Sequence, residues 1–366
     1  AALAAMALAV VIYLQHPKFG KAPDSAARQL IERSPNYRDG AFRNLIDTPV
    51  FAQGKSVFSM LTDNTSAPRA SLKPVQDIPA VHTDLRNLNP ADDLLVWLGH
   101  SSFYLHLNGV RILIDPVFSV YASPVPGGNP AFAGTNFLSA GQLPPVDYLL
   151  ISHDHYDHLD YPTIRQLKPH VGRVVAGLGI GAHFRRWGYP PAQISEGDWW
   201  DHFDLGNGVT VHLVPARHYS GRALARNQTL WVGFVLETPQ RRLLFSGDSG
   251  DGPHFAELAR RFGGFDLAAL DMGQYSPLWP FIHMTPEQAA TVAEQLNAKA
   301  LLPIHVGRFD LARHPWTGPF ERIMAASTHR TYHLLTPRIG EAVHLPADLD
   351  RNYTPWWRFA AAQTPA

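Results

Sequence analysis

A six-residue run, His153-Asp154-His155-Tyr156-Asp157-His158, follows the apolar segment 146–151 after one serine and constrains this chain more than any other stretch. The apolar segment has the length and composition of a buried strand, so the imidazoles and carboxylates emerge in the loop at its C-terminal end, where α/β sheets gather their ligands. Such a concentration of polar groups has no packing role that offsets its desolvation. His153 and His155, two apart in an extended turn, can converge on one cation, and Asp157 and His158 lie further round, where they can hold a second. Neutral imidazole with carboxylate suits a borderline divalent ion, zinc first, with iron or manganese also accommodated.

The chain has no cysteine, so disulfides, thiolate nucleophiles and thiolate-bound zinc are excluded, and any metal must be held by carboxylates and the 19 histidines. Lysine plus arginine and aspartate plus glutamate balance at 31 each, which leaves no global field to attract nucleic acid.

Residues 1–14 are apolar throughout. A full membrane span takes about 20 such residues, so the segment predicts the distal part of a membrane anchor or of a signal peptide. Association with a membrane through the N-terminus is expected, a soluble cytoplasmic or periplasmic protein being the alternative. Residues 15–90 are polar and irregular, with a helical pattern near 24–33 and a Pro-rich stretch at 67–79, and read as an arm without chemistry.

The compact domain is expected over 91–345, with a C-terminal tail over 346–366. Strands are predicted at 94–98, 102–107 and 110–115, with Asn108-Gly109 as a hairpin turn, and the Gly- and Pro-rich loop 122–145 shapes a pocket rim. Beyond the histidine-rich loop come a helix at 162–167, a strand at 173–176 and a helix at 179–187. A second block has strands at 209–214, 230–236, 242–245, 267–270 and 300–304, with helices at 253–262 and 285–296. Two strand blocks, each with helices attached, predict two sheets packed face to face with helices outside.

Later strands also end in candidate ligands: His218 after 211–215, Asp248 after 243–246, and His305 after 301–304. Singly each is weak. Together with the first run they make seven, enough for two metals sharing one bridging carboxylate.

In this order the residues resemble the metallo-β-lactamase superfamily, whose fold is an α/β structure, an αββα sandwich with a metal centre at one edge of its sheets. The likeness extends over roughly 94–314 for one branch. Trp97-Leu98-Gly99-His100-Ser101-Ser102, Ile114-Asp115-Pro116-Val117-Phe118, Asp198-Trp199-Trp200, Asn227 with Leu230-Trp231, Phe265-Asp266-Leu267-Ala268 and His283-Met284-Thr285-Pro286-Glu287 are similar to the N-acyl-phosphatidylethanolamine phospholipase D-like group. That group is similar in turn to the ascorbate-6-phosphate lactonases. The segments 272–275 and 305–308 depart from the animal phospholipase pattern, which bears on lipid specificity and not on the metals.

The resemblance implies that His153, His155 and His218 bind one metal, that Asp157, His158 and His305 bind a second, and that Asp248 bridges them. It implies a hydrolase in which a hydroxide shared by two divalent ions attacks a phosphodiester, such as that of a phospholipid, with a lactone or other carboxylic ester as the alternative. A metal-binding scaffold without turnover is the reading from another class, and its signature, a missing ligand, is not found. Asp157 is expected to orient the nucleophile, and His283 matches a pocket histidine of the resembled group, so both are named as catalytic. His100, Tyr275 and Arg308 are expected at the substrate, a small molecule or a lipid, with His100 alternatively orienting a metal ligand from outside, and Trp199, Trp200, Tyr275, Trp279, Phe281 and Trp316 supply aromatics for an apolar groove.

Overall fold

The computed structural model describes residues 2–56, 58–59, 71–89, 91–222 and 224–361. Part of the Pro-rich stretch, 67–70, lies outside the described residues, as do residue 90 at the expected domain boundary and 362–366 of the expected tail.

The N-terminal region begins with helix α1 (Ala2–Leu14), uncharged along its length, followed by α2 (Ser25–Ile31), whose first turn is capped by the Asp24 carboxylate accepting from Ala27 N. A small hairpin of β1 (Tyr37–Arg38) and β2 (Ala41–Phe42) comes next. Helix α1 stands exposed, and no helix among the described residues is long and apolar enough to cross a membrane. Beyond it the arm is anchored at three points, Ile31, Phe42 and Ile78, which are buried in the main core.

The domain proper has two seven-stranded sheets. The first takes β3 (Leu94–Trp97), β4 (Phe103–Leu107), β5 (Val110–Ile114), β6 (Val146–Ile151), β7 (Val171–Gly177) and β8 (Ile194–Gly197). The second takes β9 (His202–Gly206), β10 (Val209–Val214), β11 (Gly233–Glu237), β12 (Arg242–Phe245), β13 (Phe265–Asp271), β14 (Ala298–Ile304) and β15 (His333–Leu334). The chain then returns with β16 (Ala342–His344) to pair antiparallel with β3 at the edge of the first sheet. Within each sheet an antiparallel ladder gives way to a parallel run, at β5–β6 in one and β12–β13 in the other. The two sheets thus repeat one pattern although no residue-by-residue repeat is visible in the sequence.

Alternation along β3 shows how the sheets divide the interior. Leu95 and Trp97 face the core between the sheets, while Leu94 and Val96 face an outer cluster with Ile164, Leu167, Ile180 and Phe184. These last belong to or adjoin α3 (Tyr161–Leu167) and α4 (Gly181–Arg186). Helices α5 (His254–Phe262), α6 (Pro286–Gln295) and α7 (Gly318–Ala326) contribute Phe255, Ala289 and Phe320 to the cluster on the second sheet, completing the αββα sandwich. Helix α6 starts where expected because Thr285 and Gln288 form a reciprocal capping box.

Three local differences have physical causes. The strand expected from 230 begins only at Gly233, because Leu230 N bonds to Leu178 O and Val232 N to Ser152 O, across to the first sheet and away from the ladder. Strands β8 and β9 carry polar, half-exposed sequences at sheet edges, which hides them from a hydrophobicity reading. Within the segment expected as a tail, α8 (Trp356–Ala361) buries Trp356 and Trp357, and the latter stacks on Phe320 at 4.8 Å.

Candidate metal centre

Strands β6, β10, β12 and β14 deliver the candidate ligands just past their C-terminal ends, and β13 ends in Asp271. The loops that carry them are constrained. His100, Asp115 and His305 all hold positive φ (55°, 42° and 62°), a region that non-glycine residues occupy at a cost. His100 and His305 also bond backbone to backbone, His305 N donating to His100 O at 3.1 Å. Before Asp248, at Gly247 (φ 58°), a side chain would meet Val232 O at 2.7 Å and Ser152 Cβ at 3.2 Å, so only glycine lets this turn pack between the segment leading into β11 and the end of β6.

Two groups of donor atoms converge here. In the first, His155 Nδ1 lies 2.9 Å from His153 Nε2 and 3.2 Å from His218 Nε2, and Asp248 Oδ2 lies 3.7 Å from both Nε2 atoms. In the second, Asp157 Oδ2 lies 3.1 Å from His305 Nε2 and 3.6 Å from His158 Nε2. Asp248 reaches this group too, with Oδ1 3.0 Å from His158 Nε2 and Oδ2 3.3 Å from His305 Nε2. Its carboxylate therefore stands between the two sets, as a bridging position requires.

In four of the five histidines the opposite ring nitrogen is held. Nδ1 of His158 lies 2.8 Å from Asp115 Oδ2, that of His305 3.2 Å from Asp271 Oδ1, that of His218 3.0 Å from the Ile282 carbonyl, and that of His153 3.0 Å from Ser152 Oγ. Such partners fix the ring and its tautomer so that the inner nitrogen is left for a ligand. His158 Nε2 and Asp248 Oδ1 are buried facing one another at 3.0 Å, without a well-formed hydrogen bond to each other or to any other group. Orphaned donor atoms of this kind, in a set of imidazoles and carboxylates, fit divalent cations.

Electrostatics agree with that fit. Burial and neighbouring imidazoles hold His153 and His218 well below the usual imidazole range, in the neutral form a ligand needs. Burial alone would lower His158 and His305 as well, but Asp248 with Asp157 raises the first well above its ordinary value, and Asp248 with Asp271 raises the second to about 10. Two buried imidazolium ions would thus supply the positive charge that the carboxylates demand.

Beside the cluster lies a cavity of about 320 Å³ whose walls include Val50, Phe51, Pro124, Tyr219, Trp279 and Leu311. His283 lies on this wall, its Nδ1 2.7 Å from Asp271 Oδ2 and its ring stacked on His305 at 4.9 Å. Its ligand atom also lies within 4.8 Å of those of Asp248 and His305.

The expected substrate contacts are placed differently. His100 is fully buried and directs Nε2 to Asp157 Oδ2 at 2.9 Å, so it orients Asp157 from behind and touches no cavity. Arg308 is buried, Nη1 and Nη2 donating to Thr135 O, Ser119 O and Asn136 Oδ1 while Nε has no partner, which ties down the loop over the sheet edge and keeps the guanidinium out of the cavity lining. Tyr275 stacks on His314 at 4.5 Å beneath Arg322, outside the cavity. Of the aromatics, Trp279 lines the cavity, whereas Trp199 and Trp316 are buried in the core.

The N-terminal arm, expected to carry no chemistry, forms part of the site. Asn44 clamps His218, donating from Nδ2 to its carbonyl at 2.7 Å and accepting from its N–H at 3.1 Å, and Val50 and Phe51 wall the cavity. Asp115 and Asp271 were the more findable omissions, since both stand at strand ends like the ligands themselves.

A family model described as a beta-lactamase superfamily domain matches residues 110–306. An uncharacterized protein of Mycobacterium tuberculosis is 36% identical over 341 residues, covering 91% of this chain and 90% of that one. The N-acyl-phosphatidylethanolamine-hydrolyzing phospholipase D 1 of Caenorhabditis elegans is 31% identical over 229 residues, 59% of this chain and 64% of the other. Among solved structures, a possible metal-dependent hydrolase from Veillonella parvula superposes with a TM-score of 0.57 at 16% identity, over 70% of this chain and 100% of that one.

Proposed function

The chain belongs to the metallo-β-lactamase superfamily as a metal-dependent hydrolase, and from that footing we propose that it cleaves a phosphodiester, foremost in a phospholipid headgroup. The observation that carries this reading is the cavity, which joins the His and Asp cluster to an apolar wall of Val50, Phe51, Trp279 and Leu311, as a charged ester on an acyl chain requires. The likeness to a phospholipase and the exposed apolar α1, suited to attachment at a membrane, support it further.

His153, His155, His218 and Asp248 would hold one cation, and Asp157, His158, His305 and Asp248 the other, zinc suiting the donors and iron or manganese also fitting. Bound there, such cations supply Lewis acidity and a water acidified towards neutrality. Asp157, fixed by His100 and His305, orients the attacking water with its carboxylate. His283, with Nδ1 engaged by Asp271, keeps Nε2 to protonate the leaving oxygen.

No lysine or arginine lines the cavity among the described residues, so the single charge of a diester suits it better than the two of a monoester. The same lack of a cation favours, as a second reading, a lactone or other carboxylic ester. Metal analysis combined with turnover of bis(p-nitrophenyl) phosphate, a simple lactone and a p-nitrophenyl ester separates them. Metal-dependent cleavage of the phosphate is expected; turnover of the carboxylic esters alone would overturn the phosphodiester reading.

A further inference from the structure

A second cavity, of about 580 Å³, adjoins the first and shares Ser123, Pro124 and Tyr156 with it. Three basic side chains line it: Lys18, Arg165 and Arg222. Lys18 Nζ spends its bonds on the Tyr13 hydroxyl and the Pro124 carbonyl, both neutral. Arg222 is only 4% exposed; Nε and Nη1 donate to the carbonyls of Lys18, Asp154 and Leu159, while Nη2 is buried without a partner. The one carboxylate in the lining, Asp160, already accepts from Ser119 N, Ser119 Oγ and Thr163 Oγ1. A buried guanidinium with an empty donor and no carboxylate partner among the described residues calls for an anion.

The surroundings indicate where that anion comes from. Helix α1 exposes Met6, Leu8, Val10, Val11 and Ile12, and the neighbouring loop exposes Val120 and Val125. Tyr13 OH and Lys18 Nζ both donate to Pro124 O, joining helix and loop at the cavity mouth. An apolar helix uncovered on so many sides, with basic groups at its end, matches a bilayer surface and its headgroup layer.

We propose that this second cavity binds a phosphate-bearing anion, the headgroup of a phospholipid in a membrane lying against α1. The site is separate from the metal centre and does not rest on what that centre hydrolyses.

The test is binding, read without turnover. The full metal-loaded chain is sedimented with vesicles of phosphatidylcholine, with and without phosphatidylglycerol, and titrated calorimetrically with glycerol phosphate. Arg222 holds three carbonyls in place, so Lys18→Gln with Arg165→Gln is the informative pair. Lys299→Gln with Arg242→Gln, at the opposite end of the second sheet, controls for charge alone. Wild type and control should prefer phosphatidylglycerol vesicles, on the order of tenfold, and the first pair should lose that preference. Glycerol phosphate bound by wild type and lost in the first pair, without any vesicle preference, would keep the phosphate site and overturn its membrane source. Equal losses in both pairs, or no loss in either, would overturn the site.

Discussion

Asp271 reaches His283 at 2.7 Å with one carboxylate oxygen while its other oxygen lies 3.2 Å from His305. A single buried side chain therefore orients a candidate ligand and a candidate proton donor together. Asp271→Asn should lower both metal affinity and turnover, each by about 10–100-fold, the range seen when a ligand's outer partner is removed. Metal titration and kinetics on one preparation check this, and loss of turnover with unchanged affinity would contradict the shared role.

His283→Ala should leave metal content intact and lower kcat by about 10²–10⁴, as expected for a general acid. A faster-leaving group, which needs no proton, should recover much of the loss. Loss of a metal ion in the variant would instead make His283 a ligand, the alternative that its closeness to Asp248 and His305 leaves open.

Cation uptake should release protons. Burial is outweighed by Asp248 with Asp157 at His158, and by Asp248 with Asp271 at His305, so both rings carry a second proton, as imidazolium, in the metal-free protein. Ligation needs those nitrogens bare, so affinity should fall as pH falls, and mixing zinc with apoprotein in weak buffer should acidify it. Chelation should also lower the melting temperature, with recovery on re-addition of the metal. An uptake that shifts no proton would contradict the assigned charges.

Asn44→Ala should destabilise the fold by about 1–3 kcal/mol, because it strands the His218 backbone groups that Asn44 satisfies. Occupancy of the first metal position should fall while that of the second persists, which site-resolved spectroscopy of a cobalt-substituted protein would distinguish.

The sequence made the ligand set visible because each member follows a strongly apolar strand, and a strand end followed by histidine or aspartate can be found without a structure. The sheets were legible for the same reason wherever the strands are buried on both faces, as in β6, β13 and β14. What stayed hidden depends on distance along the chain. Asn44 meets His218 across 174 positions, and nothing local to either residue announces the contact. Arg308 misled for a related reason: its place beside His305 suggested a phosphate contact, whereas its guanidinium turns to carbonyls of a loop about 170–190 residues earlier. His100 lay between, recognisable as part of a motif but with its role set by an Asp157 carboxylate that only folding brings near.

Strand β16 pairs with β3 after the whole second sheet has intervened. During synthesis the edge of β3 therefore stays bare until residue 342 emerges, long after the first sheet could otherwise have closed. A ribosome-bound or prematurely terminated chain presents that edge as a template for other strands, so its solubility in the cell would depend on chaperone cover through most of its translation.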